Sequence, residues 1–150
     1  MKISFGKVAV GLLLACAVAA GPAYVVSAQT DPIKERKDNR QELRKAMGAV
    51  KAVVDAKGDP KSVVPIAENM VKIEAAHVKL YPAGSDKGET KALPAIWTDM
   101  AGFQAASKNA SDAMGKLAQV AASGDIAAVG AQFGAVGGAC QACHDKYRGK

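Results

Sequence analysis

Four stretches of this chain repeat their apolar residues every three or four positions, and no window alternates apolar with polar. That period belongs to helices buried along one face, whereas strands repeat every second residue. The chain is therefore expected to be all-α. The first helix should run from about Asp31 to Ala56, with Asp31 placed to cap it and Pro32 suited to the first helical position. Its inward step passes through Ile33, Arg36, Arg40, Leu43, Met47, Val50 and Val54. Gly58-Asp59-Pro60 then separates it from a second helix over about Lys61 to Leu80, whose seam is Val63, Ile66, Met70, Ile73, His77 and Leu80. A long connection, Tyr81 to Leu93, contains Pro82, Gly84 and Gly88. The third helix should start near Pro94 and reach about Ala122 through Ile96, Met100, Phe103, Ser107, Ala110, Met114, Leu117 and Ala121. Ser123-Gly124-Asp125 breaks it, and the fourth steps through Ile126, Val129, Phe133, Val136, Cys140, Cys143 with His144, and Tyr147. Short first and third connections imply an up-down-up-down four-helix bundle.

The last seam carries the chemistry. Cys140-Gln141-Ala142-Cys143-His144 has the spacing by which a c-type haem is attached. Each thiol adds to one vinyl group of the porphyrin, and the following histidine can ligate the iron. Residues three and four apart are neighbours on a helix, so Cys140, Cys143 and His144 fall on one side. A CxxC redox pair and half of a zinc site are the competing readings. Zinc would need two more ligands, and the only other histidine is His77.

Other seam residues carry two readings each. Arginine on an inward face is costly unless it meets an anion or reaches water. Arg36 and Arg40 in succession therefore mark either an anionic group inside the bundle or two side chains that snorkel at its end. His77 is either a hydrogen-bonded core residue or a second axial ligand. Met100 and Met114 read as core fillers. Gly134, Gly137 and Gly138 cost about 1 kcal/mol each relative to alanine in a helix. They suggest either close approach of a flat ring to the backbone or a loosely packed helix. Aromatic residues are only 5% of the chain, so the core is thin and a large apolar disc would add buried area.

The N-terminus differs from the rest. Lys2 and Lys7 precede an apolar run from Val8 to Ala20, and Val26-Ser27-Ala28 offers small residues for cleavage. Residues 1–28 read as a secretory signal peptide, which leaves 29–150 as the mature domain beginning at Gln29. The run is short of the roughly 20 apolar residues that span a membrane. Leu13-Leu14-Ala15-Cys16 faintly resembles a lipoprotein box, although apolar residues continue past Cys16. Cleavage removes two of the 20 basic residues and none of the 14 acidic ones, leaving a mature charge of +4. That modest, dispersed charge gives no sign of nucleic-acid binding and is compatible with docking to an acidic redox partner. After cleavage nothing anchors the chain to a membrane.

On these features the chain resembles the class II c-type cytochromes, the cytochrome c-prime family. That family carries its attachment motif at the C-terminus, as Cys140–His144 followed by Asp145-Lys146-Tyr147-Arg148 does here. Lys91-Ala92-Leu93-Pro94-Ala95-Ile96-Trp97 is similar to the family's third-helix start, and Ile33-Lys34-Glu35-Arg36 to its first. The resemblance implies a four-helix bundle with haem c near the C-terminal helix and His144 as the iron's proximal ligand. It implies that Arg36 lies near the propionates, with Lys37 where the family often has glutamine. Thr90 is similar to a haem-edge contact, and Arg148 to a basic residue near the proximal face. A homodimer through the first two helices is also implied.

One departure is informative. The low-spin, electron-carrying branch of the family places a ligating methionine four residues after the first-helix arginine, and cytochrome c-prime usually has an apolar residue there. This chain has Arg40 at that place, or Arg44 if the register shifts one turn. Neither arginine offers a metal a lone pair. Met47 lies seven residues past Arg40, roughly 10 Å along the helix. The expected function is a periplasmic haem protein with five-coordinate, high-spin iron, active in electron transfer, in binding gases such as nitric oxide, or in both. The alternatives are a six-coordinate low-spin electron carrier, with Met47 or His77 as sixth ligand, and a peroxidase-like enzyme. The last would need a distal histidine that the pattern does not make evident, so the chain reads as a non-enzyme.

Overall fold

The computed structural model describes residues 31–150. The expected leader, its expected cleavage site and Cys16 lie outside the described residues. Four long helices form the body: α1 (Pro32–Asp55), α2 (Val63–His77), α4 (Met100–Ser123) and α5 (Ile126–Tyr147). A short helix, α3 (Ala95–Thr98), precedes α4, and single 3-10 turns flank α2. Among the described residues the only β pairing is an isolated bridge between Ala92 and Arg148. The all-α four-helix bundle is as expected.

Local chemistry sets the helix ends. Asp31 accepts a hydrogen bond from the Ile33 N–H at 2.9 Å, with Pro32 opening α1. Asp125 accepts from Ala127 and Ala128 at the start of α5. Gly124, at φ 85°, closes α4 in the left-handed region that a residue without Cβ adopts freely. At the end of α1 Lys57 takes that role at φ 49°, and Gly58 N–H reaches back to Val53 C=O.

Two residues of the expected third helix behave differently from its pattern. The chain does not run unbroken from Pro94. Asp99 leaves helical geometry at φ −136°, ψ 56°, and its carboxylate caps α4 by accepting from Gly102 N–H at 3.1 Å. The same carboxylate accepts from Lys146 Nζ at 2.6 Å and Tyr147 Oη at 2.9 Å. The break thus joins the start of α4 to the end of α5. A Cβ at Gly102 would lie 2.6 Å from Tyr147 Oη and closer still to the Asp99 carboxylate. Gly102→Ala would ordinarily favour a helix by about 1 kcal/mol. Here it is expected to destabilise by about 2 kcal/mol, through overpacking and loss of the cap, read as a lower midpoint of denaturant unfolding.

The core has two parts. Val50, Val63, Ala67, Met70, Ala110, Met114, Leu117, Ala121, Val129 and Val136 fill the closed end of the bundle. Ile96, Phe103, Cys143 and Tyr147 form a second cluster at the other end. Tyr81 stands edge-on to Phe103 at 4.8 Å between centroids, and Phe103 to Tyr147 at 5.3 Å. Met114 is fully buried core and Met100 packs on the aromatic cluster, as filling residues do. α5 has the length and apolarity of a membrane span, but its Val129, Val136, Cys143 and Tyr147 are buried within the bundle.

Candidate functional site

Between α1, α5 and the 81–93 connection lies a cavity of about 720 Å³, well within the size range of cofactor sites. Cys140, Cys143 and His144 line it from α5. Arg36, Lys37 and Arg40 line it from α1, Thr90 from the connection, and Arg148 from the residue that ends α5. All eight residues singled out in the sequence therefore share one wall space. Ile96, Phe103, Leu43 and Tyr81 supply its apolar surface.

The cysteines are free thiols, Cys143 buried and Cys140 half-buried. Burial pushes both above their ordinary values, with the Glu74 charge adding to it. They also sit in the last turns of α5, where the helix dipole disfavours thiolate. A redox CxxC needs the reverse, a depressed pKa. Among the described residues no three His, Cys, Asp or Glu side chains converge as a metal site, so the zinc reading finds no further ligands. His144 is held below its usual value by burial, then by Arg148 and Arg40, which keeps the imidazole neutral with a lone pair to donate.

Arg36 is 5% exposed. Its Nε donates to Pro32 C=O at 3.1 Å and its Nη2 to Ser85 C=O at 2.5 Å. Its guanidinium lies 4.5 Å from the Tyr81 ring centroid. Nη1 is buried without a partner. An orphan charged N–H at a cavity is satisfied by an incoming anion, and a porphyrin carboxylate is such a group. Two thiols and a neutral imidazole on one helix face, an apolar slot and this orphan donor are a set that haem c fits.

Arg40 finds its anion inside the protein, which the sequence did not show. Its Nη1 donates to Glu74 Oε2 at 2.9 Å, and Glu74 Oε1 accepts from Ser107 Oγ at 2.5 Å. Glu74 is buried, with its side chain 4% exposed. It was missed because the buried face of α2 is Val63, Ala67, Met70, Glu74 and His77, one residue round from part of the expected seam. Glu74 at an i−3 step from His77 was the available signal.

His77 Nε2 receives Arg40 Nε at 2.9 Å and Tyr81 Oη lies at 2.7 Å. Because arginine can only donate, Nε2 is the acceptor and the proton sits on Nδ1, which is buried and unpartnered. Burial, then Arg40, Arg36 and His144, hold its pKa down to about 3. His77 is thus a neutral, hydrogen-bonded residue on the cavity. It supplies the histidine absent from the peroxidase comparison, yet its Nε2 lone pair is already occupied. Met47 also lines the cavity but packs against the closed-end core.

The connection is tied down on all sides. Gly149 N–H donates to Lys91 C=O at 2.8 Å and Leu93 N–H to Tyr147 C=O at 3.1 Å, while Trp97 Nε1 donates to Pro82 C=O at 3.0 Å. Lys37 pairs with Glu89 at 3.1 Å, and Thr90 Oγ1 accepts from Ala92 N–H. Of the two readings of the glycines before the attachment motif, the structure favours the loosely packed helix. A Cβ at Gly134, Gly137 or Gly138 would meet nothing within 4 Å, and none of the three lines the cavity. Gly134 and Gly138 are solvent-exposed, so these glycines mark a loosely packed helix face and make no close approach to a ring.

Known proteins give the same outline. A family model described as cytochrome C' matches residues 31–148. The cytochrome c' of Rubrivivax gelatinosus is 35% identical over 124 residues, covering 80% of this chain and 95% of the relative. A nitric oxide complex of a cytochrome c prime variant from Alcaligenes xylosoxidans superposes with TM-score 0.72 at 30% identity, covering 80% of this chain and 94% of that one. A cytochrome c' with ligand-controlled dimer dissociation gives TM-score 0.74 at 31% identity, over 80% and 95%. The chain belongs to the cytochrome c' family, and its cofactor is covalently attached haem c.

Proposed function

We propose that this is an exported, periplasmic haem protein in which His144 is the only side-chain ligand of the iron. On this reading it takes up nitric oxide at the open coordination position and also passes single electrons to an acidic partner. Residues 1–28 direct export, and 29–150 are the working domain. Haem iron, when bound, supplies a one-electron couple and a coordination position for a diatomic gas. Cys140 and Cys143 carry the thioethers, and the His144 imidazole donates its lone pair. Arg36 Nη1 offers its unused N–H to a propionate, with Lys37, Thr90 and Arg148 around the rim. Ile96, Phe103 and Leu43 exclude water from the apolar part of the cavity.

The observation that carries the open position is Arg40. Arg36 is the deeply buried arginine of α1, so the register that gives Arg40 the distal place is the one the packing supports. Arg40 has no lone pair, and the neighbouring His77 has committed its own to the Arg40 N–H, with Tyr81 Oη beside it. Electron exchange is supported by the rim, where Lys37, Arg44, Lys91 and Arg148 are exposed against a single exposed acid, Glu89. The nitric oxide complex of the Alcaligenes relative supports the gas, and the dissociating dimer of another relative supports a homodimer, whose placement on α1 and α2 rests on the family resemblance alone.

Absorption spectra of oxidised and reduced holoprotein test this. High-spin bands in both states and a saturable change on adding nitric oxide to the reduced form are expected. A low-spin spectrum in both states would sink the open-site reading.

A further inference from the structure

Arg40 is not placed like a surface cation. Its Nε is fixed by His77 and its Nη1 by Glu74, both at 2.9 Å, and Glu74 is fixed in turn by Ser107. The guanidinium is therefore held in one orientation while lining the same cavity as Cys140, Cys143 and His144. A guanidinium has five N–H donors. Two donate to His77 and Glu74, and Tyr81 stands beside the same guanidinium, which leaves further N–H groups for an incoming acceptor. Glu74 offsets the charge of Arg40, and Arg36 and Arg148 are engaged by the propionates on the reading above, so what the cavity offers a further anion is the oriented guanidinium of Arg40 itself. A charged donor group held in one orientation is a receptor for negative charge.

We propose that Arg40 makes this cavity a site for a compact monoanion of the fluoride, azide or nitrite kind. Its lone pairs would accept the Arg40 N–H groups, and ferric haem iron, when bound, would supply the second acceptor of charge in the same cavity. A neutral diatomic carries little charge for those N–H groups to meet, so it gains less from Arg40. The proposal rests on the open-position reading above and extends it from gases to anions.

The test is a titration of ferric holoprotein with sodium fluoride at constant pH and ionic strength, followed by visible absorption. Nitric oxide binding is measured in parallel on the reduced protein. Wild type is expected to bind fluoride saturably. Arg40→Leu should weaken fluoride about tenfold or more, the worth of a charge-assisted hydrogen bond. Its nitric oxide affinity should change by a much smaller factor. Because Arg40→Leu strands a buried carboxylate, Arg40→Leu with Glu74→Gln serves as the second variant and should show the same selective loss. Equal fluoride affinity in wild type and double variant would overturn the proposal, as would equal losses for fluoride and nitric oxide. So would wild type that binds nitric oxide but not fluoride. Low-spin protein that binds neither removes the open-position reading itself, and that result is distinguishable from the others.

Discussion

A double variant, Cys140→Ala with Cys143→Ala, is expected to lose all of its pigment when the holoprotein is denatured and extracted with acidified organic solvent. The wild-type pigment should stay with the polypeptide. Both thiols are free and line the cavity beside His144, so each is available to form one thioether. His144→Ala is the matched control. It removes the lone pair and should change the visible spectrum, but the two sulfur links remain and the colour should resist extraction. Covalent pigment in the double cysteine variant would overturn the attachment assignment. A haem held without thioethers is free to dissociate, so the double variant should also unfold at lower denaturant.

The second large effect is at Glu74. Glu74→Ala removes the acceptor of Ser107 Oγ and the counter-charge of Arg40 together. Breaking a buried ion pair from one side costs about 3–5 kcal/mol. The lower end, about 3 kcal/mol, is expected here, because the stranded partner Arg40 keeps 31% of its side chain exposed and can reach water. Glu74→Gln retains an amide oxygen for Ser107 and loses only the charge, so it should lie between wild type and Glu74→Ala. Equilibrium denaturation of the holoprotein measures both. Equal stability of wild type and Glu74→Ala would mean that the pair contributes nothing and that Arg40 is held by other contacts.

The helices were legible because their cause is local and periodic. Seven of the eight residues in the expected seam from Ile96 to Ala121 are buried, and the eighth, Met100, is partly so. Caps at Asp31, Gly124 and Asp125 depend on neighbours within a few positions, so they could be read in the same way. The break at Asp99 could not, since it is stabilised by Lys146 and Tyr147 from α5. The two readings of the glycines before the attachment motif stay open in the sequence for a related reason. A residue's helix position shows its neighbours along the chain and leaves open whether space or a partner lies outward.

The amino-acid order alone determined the all-helical class, the spacing that makes Cys140, Cys143 and His144 the candidates for haem attachment, and the absence of a ligating side chain at Arg40. Those follow from periodicity and from what each functional group can donate. Only the tertiary structure decided what Arg40 does, because its partners Glu74 and His77 come from another helix, 34 and 37 residues away. Hydrogen bonds of that reach depend on how α1 and α2 rotate against each other, and a one-residue turn of the buried face brought a carboxylate inside.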